Sequence, residues 1–460
     1  MPDLLESLRA LVGEVGVLDA PTLAKRSAGA MRADALQALA LVRPANTAEV
    51  SAVLRLCHER HLGVVTQGGL TGLVHGADAG PEQIILSLER MRSIEAIDAV
   101  QRTATVQAGV TVQALQEAVQ AQDLAFPLDL GSRGSATLGG TAATNAGGNR
   151  VLRFGMTRDM VLGLEVVLAD GSVVSSLNHL IKNNAGYDLK HWFIGSEGTL
   201  GVITRLVLRL RERPRSHDVA LVALPSFDAV AQLLKHMDRS LGGQLSAFEV
   251  MWPSFYQLVT TPPAQGRPPL APGQAFYALV ESQGASIEAD AERFAAALQV
   301  AMDEGLVVDA TVAQSGGERQ ALWALRDDVA QVMVGGVPMG FDISLPIGEM
   351  ERYTRELAEA LQREIGAHQL WIFGHLGDGN LHIVVQVGAE QATHLRPRIE
   401  ALVYAPLAGF GGSVSAEHGI GLEKKAWLAI SRSEPEIALM RRIKAALDPQ
   451  HRLNPAKVLP

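Results

Sequence analysis

Three glycine-rich segments constrain this chain more than any other feature of its sequence. The first, Thr66-Gln-Gly-Gly-Leu-Thr-Gly-Leu-Val-His-Gly76, directly follows a short β-branched run at Gly63–Thr66. Its glycines and threonine stand where successive backbone N–H groups can wrap a phosphate. It fits neither G-x-x-x-x-G-K-[ST] nor G-x-G-x-x-G. The second, Gly131-Ser-Arg-Gly-Ser-Ala-Thr-Leu-Gly-Gly-Thr-Ala-Ala-Thr-Asn-Ala-Gly-Gly148, is too rich in small residues to pack an ordinary core, and close approach of backbone to a ligand explains it better. The third, Asn183-Asn-Ala-Gly-Tyr-Asp-Leu-Lys190 followed by Gly195-Ser-Glu-Gly-Thr-Leu-Gly-Val-Ile203, again brings Gly, Ser and Thr to the start of a strand. Taken alone, the first loop serves equally well as a turn between two strands. It is the set that points to a bound group.

Around these loops, helical and strand-like periodicities alternate, which predicts an α+β or α/β architecture. Helical spacing covers Thr47–His61 and Thr111–Gln122. Strands are expected at Gly63–Thr66, Gln83–Ser87, Thr103–Ala108, Leu162–Leu168 and Gly201–Leu210. The polar, proline-containing stretch Arg211–Asp218 reads as a linker to a second domain with a strand at Val219–Ala223, helices at Phe227–Ser240 and Ser286–Glu304, and a strand at Ala275–Glu281. Gln369–Val387 is β-rich, and helices around Arg396–Leu407 and Glu434–Leu447 close the chain. The divisions predicted are an N-terminal helical segment (1–40), a ligand-binding domain (41–214), a substrate domain (215–410) and a C-terminal segment (411–460). A chain of 460 residues accommodates two or three domains at roughly 100 to 200 residues each.

Composition removes several functions. Lys and Arg number 40 against 49 for Asp and Glu, for a net charge of -9 with no long basic run, so nucleic acid is not an expected partner. The single cysteine, Cys57, excludes an internal disulfide, a thiolate-built zinc site and an iron–sulfur cluster held by this chain alone, and it reads as a small buried residue on a helix. Residues 1–20 lack the basic and unbroken apolar parts of a secretory signal, and no apolar segment is long enough to span a bilayer. A cytoplasmic enzyme is the expectation, with peripheral contact to a membrane left open.

The three glycine segments, in this order within one domain, resemble the FAD-binding domain of the vanillyl-alcohol oxidase / p-cresol methylhydroxylase superfamily. The resemblance implies an α+β fold: a two-part FAD-binding domain, an α+β substrate domain, and a C-terminal helical segment that returns to the flavin. It implies that Gly68, Gly69, Thr71, Gly72 and Leu73 contact the FAD pyrophosphate. Gly140, Thr144, Gly147, Gly148, Glu197, Gly198, Gly201 and Ile203 would line the rest of the cofactor. Asn454, in the closing Asn454-Pro-Ala-Lys-Val458, would return to it. Many members of that superfamily attach the flavin covalently through His or Cys. His75 lies late in the first loop, so non-covalent FAD is expected here.

A second constellation carries the chemistry. In Gly374-His-Leu-Gly-Asp-Gly-Asn-Leu-His382, Asp378-Gly379 marks a turn between apolar strands, which predicts that His375 and His382 face each other across a hairpin on one side of a sheet. Two imidazoles so placed can share a metal. Ser415-Ala-Glu-His-Gly-Ile-Gly421 adds a carboxylate, Glu417, and an imidazole, His418. A His₂Glu set with an open position suits Zn²⁺ first, with Mn²⁺ or Fe²⁺ served by the same donors.

Both segments together resemble the flavin-dependent D-2-hydroxyglutarate and D-lactate dehydrogenases, the glycolate-oxidase-subunit-D-like branch of the same superfamily, over about 43–460. The resemblance implies that His375, His382 and Glu417 bind a divalent metal beside the substrate. It implies that Arg326 and Asn380 hold the substrate carboxylate and that His418 is the general base. A cation on the substrate hydroxyl lowers its pKa, so His418 removes the proton while hydride leaves C2 for the flavin. Electrons would then pass to a separate acceptor such as a quinone, an electron-transfer flavoprotein, a cytochrome or a dye. An O₂-using oxidase and a flavin-holding accessory subunit are the alternatives, and a homodimer is left open. Hydroxyglutarate dehydrogenases resemble this chain through Phe341-Asp-Ile-Ser-Leu-Pro346 but carry a lysine just before it and a threonine four residues after the helix arginine. Here Gly340 and Ala330 stand there, and no Lys or Arg occurs between Arg326 and Arg352. With one cation for two carboxylates, a monocarboxylate such as D-lactate or a longer apolar analogue is the expected substrate.

Overall fold

The computed structural model describes the chain from Pro2 to Pro460 except residues 30, 31 and 33. It divides into two compact units. The first comprises Met1–Gly148, Gly155–Arg213 and Glu417–Pro460. The second comprises Asn149–Phe154 and Pro214–Ala416. The main break between the units falls at Arg213/Pro214, and the chain returns to the first unit at Glu417. A short piece beyond the second glycine segment belongs to the second unit. The N-terminal segment is more than helical, because Val17–Asp19 and Ala40–Val42 are strands of the first unit's sheet.

Among the described residues, two larger sheets and a two-stranded one build the first unit. One orders its strands Val17–Asp19, Ala40–Val42, Ile84–Ser87 and Val64–Gln67, with the last three parallel. The other is antiparallel, in the order Ile94–Asp98, Thr103–Gln107, Val202–Arg209, Val161–Val167, Val173–Ser176. The helix Thr47–Glu59 starts where Asn46 accepts the Glu49 N–H at 3.0 Å and buries the stripe Val50, Val53, Leu54 and Cys57. Burial pushes the Cys57 thiol up to about 12, which leaves it inert. The second glycine segment contains a helix, Leu138–Thr144, capped by Thr137. Gly139 is needed for packing: a Cβ there would lie 2.5 Å from that of Ala108. The expected linker shrinks, because Arg211–Glu212 pairs with Leu124–Ala125 and Ser216 already opens a strand.

A single antiparallel sheet of seven strands organises the second unit. Its order is Asp309–Val312, Ser216–Leu224, Phe276–Gly284, Leu245–Met251, Gln369–His375, Asn380–Val387, Val337–Ser344. The helix Phe227–Leu241 packs on it, begun by the Ser226 cap at 3.1 Å and ended by Gly242 at φ 57°. Besides the apolar core, built from side chains such as Phe255, Tyr277 and Phe373, three strand carboxylates are wholly buried, Glu249, Glu281 and Asp342. Charge is tolerable there only when paired and hydrogen-bonded. Glu281 accepts from Arg150 (2.9 Å), Ser246 (2.7 Å) and Trp323 (3.0 Å), and its Oε2 lies 2.6 Å from His217 Nε2. Burial alone would raise its carboxyl pKa, but the Arg150 and His217 partners outweigh that and hold it far below the usual carboxylate range. Among the described residues, no helix is long and apolar enough to cross a membrane.

Candidate functional site

In the first unit, the three glycine segments converge on one cavity. Of the fourteen positions expected to contact FAD, twelve line it: Gly68, Gly69, Thr71, Gly72, Leu73, Gly140, Thr144, Glu197, Gly198, Gly201, Ile203 and Asn454. The cradle is a backbone surface. A Cβ on Gly69 would strike the Ser135 carbonyl at 1.8 Å, and one on Gly68 would lie 2.4 Å from Thr137 Oγ1, so the first loop lies directly against the second segment. Gly147 and Gly148 do not line the cavity. Gly148, at φ 112°, brings the chain so close to Asp129 that a Cβ would sit 2.1 Å from its carbonyl, and its N–H donates to Glu417 at 3.1 Å.

Two expected cofactor residues hold the cavity walls together. Asn454 accepts the Thr66 N–H at 2.9 Å and donates to the Glu197 carbonyl at 2.6 Å, fixing the end of the Val64–Gln67 strand against the third segment. Glu197, at φ 51°, accepts the N–H groups of Ile420 (2.7 Å) and Gly421 (2.9 Å). Burial raises its carboxyl above the ordinary value, although these N–H bonds pull the other way. The segment held in this way begins with Glu417 and His418, which line the same cavity. Their ligand atoms lie within 4.8 Å of each other, so carboxylate and imidazole stand together at the cavity wall.

In the second unit, His375 and His382 lie on one side of the sheet as expected, but the pairing differs. The residues Leu376–Asp378 form a helical turn, closed by Gly379 at φ 82°, in place of a two-residue hairpin turn. The register therefore slips by two, which preserves the face. His382 opposes Phe373 and Asp342, and His375 opposes Glu249. The imidazoles become diagonal neighbours with ring centroids 5.3 Å apart at a near-perpendicular angle. Gly374 allows the close approach, since a Cβ there would lie 2.3 Å from the Asn380 carbonyl.

Arg326 belongs to the second unit. It is buried at the end of the helix Gly316–Asp327, its Nε donates to Glu249 at 2.8 Å, and its guanidinium lies 5.1 Å over the Phe373 ring. Burial works to raise the Glu249 carboxyl pKa, yet His375 and Arg326 beside it hold it below the ordinary value. Asn380 is also buried, with its amide donating to Asp342 (2.8 Å) and the Ile343 carbonyl (3.0 Å). Asp342 further accepts the Ala416 N–H at 3.0 Å and lies 3.9 Å from His382 Nδ1.

Glu249 and Asp342 were not singled out from the sequence. Their signal was a carboxylate inside an otherwise apolar strand, in Leu-Ser-Ala-Phe-Glu-Val-Met and Phe-Asp-Ile-Ser. Each unit thus offers an imidazole with a carboxylate beside it, and that donor set is compatible with a divalent first-row cation.

Comparison with known families agrees with these features. Residues 213–458 match the FAD linked oxidases, C-terminal domain, and residues 38–176 match the FAD binding domain. The chain is 42% identical over 428 residues to the mitochondrial D-2-hydroxyglutarate dehydrogenase of Rattus norvegicus, covering 91% of this chain and 78% of that one. It is 40% identical to the D-2-hydroxyglutarate dehydrogenase of Xanthomonas citri pv. viticola, covering 91% and 89%. The fold is that of p-cresol methylhydroxylase with substrate bound, at a TM-score of 0.76 and 16% identity over 99% of this chain and 96% of that one. The chain therefore belongs to the FAD-linked oxidases, a flavoprotein family, in the branch that holds the D-2-hydroxyglutarate dehydrogenases.

Proposed function

We propose that this protein oxidises a D-2-hydroxy acid to the 2-keto acid, with non-covalent FAD and a divalent cation, Zn²⁺ by preference. The observation that carries this reading is the first unit's cavity, where a glycine-built cradle shares its wall with the Glu417–His418 pair. Bound FAD supplies a two-electron acceptor for the hydrogen lost from C2, and a bound cation supplies acidity at the substrate hydroxyl. His375, His382 and Glu417 hold that cation. His418 takes the hydroxyl proton, and Arg326 and Asn380 orient the substrate carboxylate. The electrons leave to a separate acceptor, so the reaction is expected to run with a dye in the absence of O₂.

Within that class we infer a preference for monocarboxylates. The relatives are named for a dicarboxylate, but Gly340 supplies no cation, and a Cβ built there meets nothing within 4 Å. The guanidinium of Arg326 is already shared with Glu249. A second substrate carboxylate without a partner costs several kcal/mol once desolvated. The test is kcat/KM for D-lactate, D-2-hydroxybutyrate and D-2-hydroxyglutarate with one dye acceptor, for the wild type and Gly340→Lys. The expected result is a higher value for the monocarboxylates, with the lysine variant shifted toward hydroxyglutarate. A clear win for hydroxyglutarate in the wild type overturns the preference, and flavin that none of the three reduces overturns the function.

A further inference from the structure

The sheet of the second unit carries a buried carboxylate that none of the roles above uses. We propose that Glu249 is the positioning residue of the site: it fixes the tautomer of His375 and the orientation of Arg326 at once. This inference rests on the D-2-hydroxy acid reading above.

The geometry is specific. Glu249 lies in the strand Leu245–Met251, every residue of which is buried, and stands directly opposite His375 in the neighbouring strand. One carboxylate oxygen, Oε1, is 2.8 Å from His375 Nδ1, and the other, Oε2, accepts the Arg326 Nε–H at 2.8 Å. Arg326 Nη2 in turn lies 3.4 Å from His375 Nε2. A carboxylate can only accept from Nδ1, so the imidazole proton sits there and the lone pair with which this ring would ligate a metal stays on Nε2. With Nε of Arg326 engaged by Glu249 and its Cζ 5.1 Å over the Phe373 ring, the guanidinium is held between the carboxylate and the ring.

An apolar residue would pack this strand at no electrostatic cost, because a buried ion pair is often no more stable than a hydrophobic replacement. What an apolar residue cannot do is hold a proton on Nδ1 or aim a guanidinium. Asp342, the other carboxylate on this face, is engaged by Asn380 and the Ala416 N–H, so it does not substitute for Glu249.

Glu249→Gln separates charge and tautomer from shape. Its amide carbonyl can still accept from Arg326, but its NH₂ then faces His375 Nδ1 and drives the ring proton to Nε2. We expect chelator-stripped, FAD-loaded Glu249→Gln to bind Zn²⁺ 10- to 100-fold more weakly than wild type, the usual scale for losing a carboxylate behind a ligating histidine. KM for the hydroxy acid should rise with the FAD content unchanged, and Glu249→Asp, which keeps the charge, should restore part of both. Zn²⁺ affinity and KM within twofold of wild type overturn the proposal. If the glutamine variant does not fold, NMR of nitrogen-labelled histidine in the stripped wild type decides. His375, assigned by its loss in His375→Gln, must carry its proton on Nδ1, and a proton on Nε2 overturns the proposal. A wild type that turns over no hydroxy acid defeats the functional reading alone, since the metal titration and the tautomer still test Glu249.

Discussion

The side-chain amide of Asn454 donates to the backbone carbonyl of Glu197 at 2.6 Å, joining residues 257 positions apart at the wall of the first unit's cavity. The same side chain accepts the Thr66 N–H, so its loss leaves one buried and one partly buried backbone group without this partner. Asn454→Ala is expected to cost about 2 kcal/mol or more in folding stability. It should also purify with substoichiometric FAD, read from the ratio of flavin to protein absorbance. Full FAD content in this variant would show that the strand end and the third segment hold their places without it.

FAD should be released completely by acid precipitation of the wild type. The one histidine on the cavity wall within the first glycine loop, His75, has Nδ1 3.0 Å from Asp78 Oδ2. Yellow colour that stays with the precipitate, and leaves it in His75→Ala, would show a covalent bond at that residue.

A strong chelator is expected to abolish dye reduction while the flavin stays bound, with Zn²⁺ or Mn²⁺ restoring it. His375→Ala, His382→Ala and Glu417→Ala should each lose metal, measured by elemental analysis. Glu417 also accepts the Gly148 N–H, so its variant should be checked for FAD content separately. Turnover that survives chelation, in protein shown to be metal-free, would remove the cation from the reaction.

His418→Ala should slow flavin reduction by the hydroxy acid by about 10²-fold or more, the scale of general acid–base catalysis. Stopped-flow absorbance measures the step directly. Because His418 stands beside Glu417, the metal content of the variant must be measured alongside. An unchanged reduction rate would leave His418 a structural role.

Lys457 gives a pH dependence of known sign. Burial, only partly offset by Asp78 and Glu197, brings its ammonium down from the ordinary 10.5 to about 8. Below pH 8 both states hold the proton and the folded protein carries the full cost, about 3 kcal/mol by linkage. Between pH 8 and 10.5 only the unfolded chain binds it, so this group's contribution to stability rises with pH. Lys457→Met should therefore stabilise flavin-free protein at pH 7 and flatten the rise above pH 8, as read by urea unfolding at several pH values. A variant less stable than wild type at pH 7 would show that the ammonium makes contacts that outweigh its burial.

The features legible in the amino-acid order alone were local in origin. Periodicity gave Thr47–Glu59, Phe227–Leu241 and Glu434–Leu447 nearly to the residue, because amphipathic stripes and caps are written within a few positions of each other. The glycine segments marked the cavity for a related reason: a backbone that must approach a ligand or another strand excludes Cβ wherever it does so. Tertiary structure alone decided which residues meet. The helical turn Leu376–Asp378 moved His382 from opposite His375 to opposite Phe373, a shift that no dipeptide at the turn announces. Arg326 became a buried partner of Glu249 because strands and a helix distant in sequence close around both, and only that closure makes the pairing obligatory. Gly148 read as a cofactor contact, but the close approach it permits is to Asp129 and not to the cavity. A glycine in a sequence states that something comes near; the fold decides what.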